Sequence, residues 1–468
     1  MRKIIVLEVN ELPYKVYDRY VDKNPNCLLA QIFNHSTQYI TKSTDEGELH
    51  PWSTWPTFYR GIDNAKHKIK DIGEDLTERN KMYPPLWEIL TQHNISAGIF
   101  ASLHTYPLPS DLKNYKFLVP DPFALGSTTF PKKIEPFQAF NLAMTRRSGR
   151  SVDKSIDKRS ALKLMFALPG LGLRISTILI TLKQLVNEKF ASWKASRRRT
   201  FQSVLAFDLF IKLLRNNKPQ FVTFFSNHVA SAMHRYWAAT FPEDYTKNDL
   251  PKKWINRYKF EIDYCMDHLN RMLISMHKFL KKNPEYLLVV ASSMGQEATK
   301  AEMVTHELFL DDFNKLQDAI GVELEPLTAM HPQYNFAVNG DADLMETRLR
   351  LLSLNGDKIT YRRKDNIFFS IDLGYPNVTR FEAKFEGRQV GLEDLGMKIK
   401  AIDDQSGGTA YHIPEGSFFI YDINNQDPDK ERKEVDLRVI APSILKYYHV
   451  EAPKYMIKNG LIPELIHN

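Results

Sequence analysis

The sequence predicts an α/β fold with a mostly parallel central sheet, and two observations support this class. Four apolar runs rich in β-forming residues each end in polar residues, which is how buried parallel strands meet the loops that follow them. Helical patterns at 85–93 and 254–280 separate these runs, which gives the strand and helix alternation of a doubly wound sheet. The four predicted strands cover residues 4–9, 97–101, 221–225 and 287–290.

The polar residues that follow these strands are the first candidates for a functional cleft. Asn10 follows the first strand, His104 the second, Asn227 the third and Ser292 the fourth. Ligands of open α/β sheets bind outside the carboxyl ends of the strands. We therefore expect these residues to border one cleft.

The chain length predicts additions to this core, because 468 residues exceed what one hydrophobic core usually serves. Residues 1–139, 216–320 and 401–468 are predicted to form the α/β core. Residues 140–215 interrupt the alternation and are predicted to form a basic, amphipathic helical insertion. Residues 321–400 carry short strand-like pieces with Gly and Asp turns and are predicted to form a small α+β subdomain.

The composition is that of an ordered globular protein, with 43% hydrophobic and 25% charged residues. Cys27 and Cys265 are too few and too far apart for a disulfide framework or a Cys-rich metal site, which favours a reducing compartment. The N-terminal MRKIIVLEVNELP is interpreted as a first strand, since the acidic Glu8 and Glu11 do not suit a signal peptide. We expect a cytoplasmic protein.

The net charge of +7 is concentrated in one segment. Between residues 146 and 199 there are 14 Lys and Arg against Asp153, Asp157 and Glu188, a local charge of +11 that leaves −4 for the rest. The excess positive charge of the chain therefore lies in the insertion. A basic enzyme body that wraps nucleic acid is not expected.

The insertion contains an amphipathic helical pattern, with apolar residues spaced mostly by three or four along one face. Lys183, Lys189 and Lys194 add positive charge around that face. Such a helix can lie in a membrane interface against anionic lipid, so 159–199 is a candidate for peripheral contact with the inner face of a membrane. The apolar positions are Ile175, Ile178, Leu179, Leu182, Leu185, Val186, Phe190 and Trp193.

Two other interpretations of this helix remain open. Its apolar face can pack on the α/β body as a helical cap. A membrane-spanning helix is disfavoured, because Pro169, Arg174 and Lys183 interrupt the only stretch that approaches the length of about 20 residues that a span requires.

Four short motifs carry polar residues in a recognisable order. The first is LEVNEL at 7–12, and the second is PWSTWPTF at 51–58. The third is FSNHVASAMHRYW at 225–237. The fourth combines SSMG at 292–295 with GTAYHIPEG at 408–416. In this order the motifs resemble the alkaline phosphatase superfamily, in particular its phosphodiesterase and nucleotide pyrophosphatase branch.

The resemblance covers roughly residues 3–115 and 220–450 and leaves out the basic insertion. It implies an α/β sandwich and phosphoryl or sulfuryl transfer, with two metal ions that hold a Ser or Thr nucleophile and the charge on the leaving oxygen. The family's metal ligands are carboxylates and imidazoles.

Most of that ligand set is replaced in this chain. Asn10 stands where the family has the first Asp, and Ala230 where it has the Asp of Asp-x-x-x-His. Ser293 and Met294 stand where it has an Asp-His pair. A hydroxyl and a thioether are poor substitutes for that pair, so the chain has departed from the family's two-metal chemistry.

His234 and His412 remain, and the resemblance implies that they would bind the same metal. At most one divalent ion, Zn or Mn, is expected there, with help from Glu8, Glu11 or His228. Alternatively the two histidines line a metal-free ligand pocket, or they are ordinary hydrogen-bonded histidines. The predicted ligand-binding residues are Asn10, Asn227, His228, His234 and His412.

The second motif implies the catalytic candidates. Thr54 is the first choice as nucleophile and Ser53 the second, although the spacing from Thr54 to Gly61 is shorter than is usual in the family. Glu48 and His50 lie in a segment dense in acids, imidazole and indole, and either can serve as a general base or substrate ligand. The alternative is a solvated loop with a Trp anchor.

The function expected from these residues is a divergent enzyme. It would act by phosphoryl, sulfuryl or glycosyl transfer or hydrolysis on a phosphate-bearing small molecule or glycan, lipid-linked or a nucleotide sugar, in surface glycan metabolism. The alternative is a catalytically inactive protein that keeps the fold to bind a glycan, a phosphate ligand or a protein partner.

Overall fold

A computed structural model describes residues 3–146, 170–425, 428–429 and 431–466. Twenty strands run through this part of the chain. They are β1 (Lys3–Val9), β2 (Ser36–Lys42), β3 (Ala97–Phe100), β4 (Tyr115–Val119), β5 (Phe221–Ser226), β6 (Tyr286–Ala291), β7 (Gly295–Ala298), β8 (His306–Leu310), β9 (Leu324–Pro326), β10 (Gln333–Val338), β11 (Leu352–Leu354), β12 (Asp357–Lys358), β13 (Thr360–Arg363), β14 (Phe368–Asp372), β15 (Ala383–Phe385), β16 (Arg388–Val390), β17 (Met397–Ala401), β18 (Ala410–Ile413), β19 (Glu415–Tyr421) and β20 (Lys433–Asp436).

The α-helices in the same part of the chain connect and cover these strands. They are α1 (Tyr14–Lys23), α2 (Leu28–Asn34), α3 (Pro51–Arg60), α4 (Asn64–His67), α5 (Thr77–Met82), α6 (Leu86–Gln92), α7 (Glu135–Arg146), α8 (Ile175–Phe190), α9 (Arg198–Asn217), α10 (His228–Thr240), α11 (Lys252–Tyr258), α12 (Glu261–Leu280), α13 (Phe313–Ile320), α14 (Ala342–Arg350) and α15 (Ile440–Tyr447).

The central sheet has eight strands in the order β20-β2-β19-β6-β1-β5-β3-β4. The strands β6, β1, β5, β3 and β4 are all parallel to one another. Only β19 pairs antiparallel, with β6 on one side and β2 on the other. This arrangement confirms the predicted α/β class with a mostly parallel sheet.

Strand β1 lies at the centre of the sheet, between β5 and β6. Its sequence KIIVLEV is buried from Ile4 to Val9, as expected for a strand covered on both faces. Glu8 is opposite Phe225 of β5 and Ala291 of β6, so the carboxyl ends of these three strands lie side by side. The loops that follow them therefore meet at one edge of the sheet.

The predicted strands and helices agree closely with the observed ones. Each of the four predicted strands matches one of β1, β3, β5 and β6 within one residue at either end. The predicted helix at 85–93 is α6, and the predicted long helix at 254–280 is divided into α11 and α12 near Phe260.

A second, smaller hydrophobic cluster lies between Leu308 and Met397 along the chain. It is built from two four-stranded sheets, in the orders β13-β14-β10-β9 and β12-β11-β15-β16, with α13 and α14. The pair β17-β8 extends from it, whereas the pair β18-β7 lies beside the central sheet and carries several residues of the site described below.

The basic insertion contributes α7, α8 and α9, and its residues 147–169 lie outside the described residues. Part of the predicted membrane segment 159–199 is therefore also outside them. Helix α9 buries a continuous apolar face against the core. Among the described residues, no helix combines the length and the apolar character that crossing a bilayer requires.

Candidate metal centre

A cluster of one carboxylate and two imidazoles lies at the carboxyl edge of the central sheet. Glu11 follows β1, His234 is on α10 just after β5, and His412 is on β18. The Glu11 Oε2 atom is 2.9 Å from His234 Nε2 and 3.3 Å from His412 Nε2. The three ligand atoms lie within 4.8 Å of one another, which is the compactness that a shared ion would need.

Backbone carbonyl groups orient both imidazoles towards Glu11. His234 Nδ1 is 3.0 Å from the Ala410 oxygen, and His412 Nδ1 is 2.6 Å from the Leu49 oxygen. Each Nδ1–H therefore donates to a carbonyl, which leaves Nε2 directed at the carboxylate. This second hydrogen bond is how proteins fix the tautomer and the ring orientation of histidines that bind metals.

The Glu11 carboxylate is held by two side-chain amides. Asn10 Nδ2 donates to Glu11 Oε1 at 2.6 Å, and Gln296 Nε2 donates to Glu11 Oε2. Asn10 is itself fixed by Trp55, whose indole nitrogen donates to Asn10 Oδ1 at 2.9 Å, and by Asn227, which accepts from Asn10 at 2.8 Å. Asn10 and Asn227, both predicted ligand-binding residues, thus help to fix the position of the Glu11 carboxylate.

The backbone of Glu11 adopts a left-handed conformation, with a φ of 57°. A non-glycine residue rarely adopts this region and pays a conformational cost to do so. In this conformation the Glu11 side chain reaches the space next to the two histidines.

The cluster favours an ionised Glu11. Burial alone would raise the pKa of this carboxyl, but the nearby His412 and His234 outweigh that effect and hold the pKa well below its usual value. For His412, burial lowers the pKa, and the attraction of Glu11 more than reverses this and raises it. A carboxylate facing two imidazoles is the expected state.

Three further side chains form the rim of the cluster. The His50 and His412 rings are 5.7 Å apart, and the Tyr411 and His412 rings are 4.3 Å apart. The Tyr411 hydroxyl donates to the exposed Glu48, which lies 3.6 Å from His50 Nε2. Burial lowers the pKa of His50, so this imidazole is neutral at neutral pH. Glu48 and His50, predicted as catalytic residues, are thus brought next to His412.

The predicted nucleophiles lie in the first turns of α3 and are buried. The Thr54 hydroxyl pairs with the Ser293 hydroxyl at 2.7 Å and is also 3.3 Å from the His50 carbonyl oxygen. Ser53 donates to the same carbonyl oxygen at 3.0 Å. Met294, next to Ser293, is fully buried as well. In this conformation the loop after β6 packs against Thr54.

His228, a predicted ligand-binding residue, lies away from the cluster with both ring nitrogens against protein groups. Its Nδ1 atom is 2.7 Å from the Ser226 hydroxyl, and its Nε2 atom is 3.1 Å from the Cys265 carbonyl oxygen. Burial lowers the pKa of His228 to about 4. Both nitrogens are used within the protein, so this histidine anchors α10 to α12.

A second buried acid, Glu8, lies within β1, three residues before Glu11. Its Oε1 atom accepts hydrogen bonds from Tyr59 at 2.5 Å and from Ser102 at 2.6 Å, and Ser102 also pairs with Thr223 at 2.6 Å. Burial raises the pKa of Glu8 to about 8, because these hydroxyls only partly offset the loss of water. Glu8 is therefore protonated at neutral pH and does not join the cluster.

Two members of the site carry weak signals in the sequence, which indicates Glu11 only as one of three helpers and does not single out Gln296. The signal for Glu11 was an acidic residue placed directly after a buried strand. Gln296 had no such signal, since it reaches Glu11 only because β7 pairs with β18 opposite His412.

Comparison with known proteins gives matches to solved structures. Murine ectonucleotide pyrophosphatase / phosphodiesterase 5 aligns over 97% of this chain and 96% of its own, with a TM-score of 0.43 and 9% identity. Phosphonoacetate hydrolase from Sinorhizobium meliloti 1021 aligns over 94% of each chain, with a TM-score of 0.41 and 13% identity. The human ectonucleotide pyrophosphatase / phosphodiesterase 5 aligns over 100% of each chain, with a TM-score of 0.40 and 9% identity.

These proteins are members of the alkaline phosphatase superfamily, which the four motifs resemble. No protein-family model and no curated protein sequence matches the chain.

Proposed function

We propose that Glu11, His234 and His412 bind one divalent cation and that the surrounding cleft catalyses phosphoryl transfer or hydrolysis on a phosphate-bearing substrate. The observation that carries this proposal is the convergence of three ligand atoms, with both imidazoles turned towards Glu11 by backbone hydrogen bonds. Two imidazoles and one carboxylate form a donor set that suits Zn²⁺ or Mn²⁺.

The spacing of the donors fits such an ion. Ligand atoms about 2.0–2.1 Å from a tetrahedral zinc ion are separated by about 3.4 Å. The separations of 2.9 and 3.3 Å from Glu11 to the two histidines are close to that value. The His412 Nε2 atom is buried and lacks a well-aligned hydrogen bond, so a metal ion would supply the partner that this ligand atom lacks.

Charge gives a second reason for a cation. A buried Glu11 carboxylate would repel a phosphate group, and a divalent ion adds the positive charge that attracts one. When bound, such an ion would polarise a phosphoryl oxygen or lower the pKa of a water molecule. The site opens to solvent on the His234 side, since the side chain of His234 is 29% exposed and that of His412 is 6% exposed.

The rim residues would act on the substrate. His50 is neutral at neutral pH and lies beside His412, so it can accept a proton from an attacking hydroxyl or water. Glu48 is near enough to stabilise the imidazolium that results. Tyr411 can donate a hydrogen bond to a substrate oxygen in place of its bond to Glu48. This assignment does not require the Thr54 hydroxyl to leave its pair with Ser293.

Metal analysis combined with turnover tests this proposal. Purified protein is expected to bind about one equivalent of Zn²⁺ or Mn²⁺ and to cleave a phosphodiester or nucleotide sugar only when the ion is present. Glu11→Gln should abolish both properties, and His50→Gln should abolish turnover while metal binding remains. Binding by Glu11→Gln at the wild-type affinity would contradict the metal site.

A non-catalytic role is the second candidate, and the burial of Thr54 favours it. The hydroxyl in the family's nucleophile position is paired with Ser293 and covered by protein. If the cleft only binds a phosphate ligand or glycan, the metal and ligand affinities should persist while turnover stays at the uncatalysed rate. Metal-dependent turnover that His50→Gln removes would exclude this candidate.

A further inference from the structure

Helix α8 exposes an apolar stripe to solvent. Five of its side chains are between 53% and 86% exposed, although all are large and hydrophobic. The stripe consists of Ile175, Leu179, Leu182, Val186 and Phe190. At about 100° per residue, these positions fall within about 80° of the helix circumference. They form a single continuous line along the whole helix.

The opposite face of α8 is mostly polar and packs on the protein, together with the half-buried Ile180. Thr177 and Gln184 are its buried residues. Gln184 Nε2 donates to Glu188 at 3.0 Å and to the Lys194 carbonyl oxygen at 2.8 Å, and Glu188 pairs with Arg198 at 2.7 Å. The polarity of α8 is therefore the reverse of that of an ordinary surface helix, which buries its apolar face. The stripe does not serve the packing of α8.

Positive charge borders the stripe on both sides. Lys183 and Lys189 are exposed, and the helical geometry places one on each flank of the apolar line. The described residues 170–199 contain seven Lys and Arg against the single acid Glu188, a local charge of +6. An apolar line between lysines is the arrangement of helices that lie in the interface of anionic membranes.

A cavity continues this surface beyond the end of α8. It has a volume of about 360 Å³ and is lined by Phe190, Ala191, Ser192, Trp193, Arg257 and Asp403. Arg257 is exposed there, and a guanidinium is well suited to a phosphate. Trp193 packs edge-on against Tyr258 at 5.5 Å between ring centroids, so it is held firmly at this end.

We propose that α8 and this cavity form a docking surface for an anionic phospholipid bilayer. The stripe enters the interface, Lys183 and Lys189 contact the lipid phosphates, and Arg257 takes one headgroup at the cavity. A second copy of the chain fits this surface less well, because pairing two such stripes would bring the flanking lysines together. The helix lies on the membrane and does not cross it.

The docking surface is connected to the candidate metal centre but does not depend on its function. Asp403 lines the cavity, and the adjacent Asp404 is 3.4 Å from Arg235, the residue after His234. Docking would thus hold the cleft near the membrane surface. Failure of lipid binding would leave the metal centre intact, and loss of metal would leave the stripe intact.

Vesicle sedimentation of the full chain tests the proposal. The protein is expected to bind vesicles of phosphatidylcholine with phosphatidylserine and to bind pure phosphatidylcholine vesicles at least about tenfold more weakly. Replacing Leu179, Leu182 and Val186 together by Gln should weaken binding at least about tenfold, because exposed apolar area is lost without disturbing the fold. Replacing Lys183 and Lys189 by Glu should weaken it similarly and reduce its dependence on salt.

Matched variants control for composition and folding. Replacement of the exposed Leu344, Leu351 and Ile367 by Gln, and of the exposed Lys384 and Lys398 by Glu, should leave vesicle binding unchanged. Circular dichroism and metal content of each variant verify the fold.

Three results would overturn the proposal. The first is an absence of vesicle binding by the wild-type protein, and the second is equal binding by the stripe variant and its control. The third is a wild-type dimer in sedimentation velocity that the stripe variant converts to a monomer without any lipid binding, because that result would assign the stripe to a second copy.

Discussion

Glu8 and Glu11 are two buried glutamates three residues apart, and the protein keeps them in opposite charge states. Their residues are 0% and 2% exposed, so burial does not distinguish them. Burial raises the pKa of Glu8 to about 8, whereas the histidines near Glu11 hold its pKa well below the usual value despite the same burial. The partners of each carboxyl make the difference.

The partners differ because the two residues occupy different places in the sheet. Glu8 is inside β1, where its neighbours across the sheet and from α3 are hydroxyls of Tyr59 and Ser102. Glu11 is past the strand end, where α10 and β18 bring His234 and His412 within reach. Hydroxyls do not compensate a buried negative charge as imidazoles do. The position of Glu11 at the strand end, and not its degree of burial, therefore keeps this acid ionised.

The largest expected effect is the loss of metal affinity in Glu11→Gln. An amide oxygen is a weaker ligand than a carboxylate, and its neutral side chain no longer attracts a cation. We expect at least about a hundredfold loss of Zn²⁺ affinity, measured by isothermal titration. Glu8→Gln is the matched control and should retain the wild-type affinity, because Glu8 is protonated and makes its hydrogen bonds elsewhere. Equal losses of Zn²⁺ affinity in both variants would refute the claim that only Glu11 binds the ion.

Stability of the metal-free protein provides the next test. His412→Gln removes the better buried of the two imidazoles and leaves Glu11 with less compensation for its charge. At neutral pH with a chelator present, we expect the free energy of unfolding to fall by about 2 kcal/mol in urea titrations. His234→Gln should cost less, because His234 is more exposed and solvent screens its interaction. A larger loss for His234→Gln would show that burial does not set the strength of these pairs.

The sequence predicted the sheet well and the site only in part. The strands β1, β3, β5 and β6 are continuous apolar runs, so their pattern is local and readable. The pair of His234 and His412 came from motif order. The sequence does not show which of Glu8 and Glu11 is their carboxylate partner. Both acids belong to the same strand region, and only their neighbours in the folded protein distinguish them.

The insertion shows the same limit. The apolar periodicity of α8 was evident, but periodicity does not tell which face packs on the protein. The buried Thr177 and Gln184 could only be found in the structure, because their burial depends on contacts with the 192–198 segment. The sequence therefore left the cap and the membrane interpretations open.

The pH dependence of stability tests the neutral state of Glu8. Its pKa is raised from 4.5 to about 8 in the folded protein, so the folded state holds a proton that the unfolded state has released between these values. The contribution of Glu8 to the free energy of unfolding is therefore complete below pH 4.5 and is lost as the pH rises towards 8. We expect wild-type protein to lose about 1–2 kcal/mol more than Glu8→Gln between pH 6 and pH 8.

Urea titrations at several pH values measure this difference directly. Parallel pH profiles for the wild type and Glu8→Gln would mean that Glu8 is already ionised in the folded protein. Its contrast with Glu11 would then be lost.

The smallest effect concerns the buried hydroxyl pair of Thr54 and Ser293, which extends the comparison from acids to hydroxyls. Thr54→Val keeps the shape of the side chain but leaves Ser293 without its partner at 2.7 Å, so we expect a loss of about 1 kcal/mol in the free energy of unfolding. Thr54→Ser keeps the hydroxyl and should lose less. If this pair is structural in the way that the Glu8 cluster is, Thr54→Val will also keep metal affinity and turnover. Loss of turnover in Thr54→Val with retention in Thr54→Ser would instead show that the Thr54 hydroxyl leaves Ser293 and takes part in the reaction. Thr54 would then be a reactive group, like Glu11.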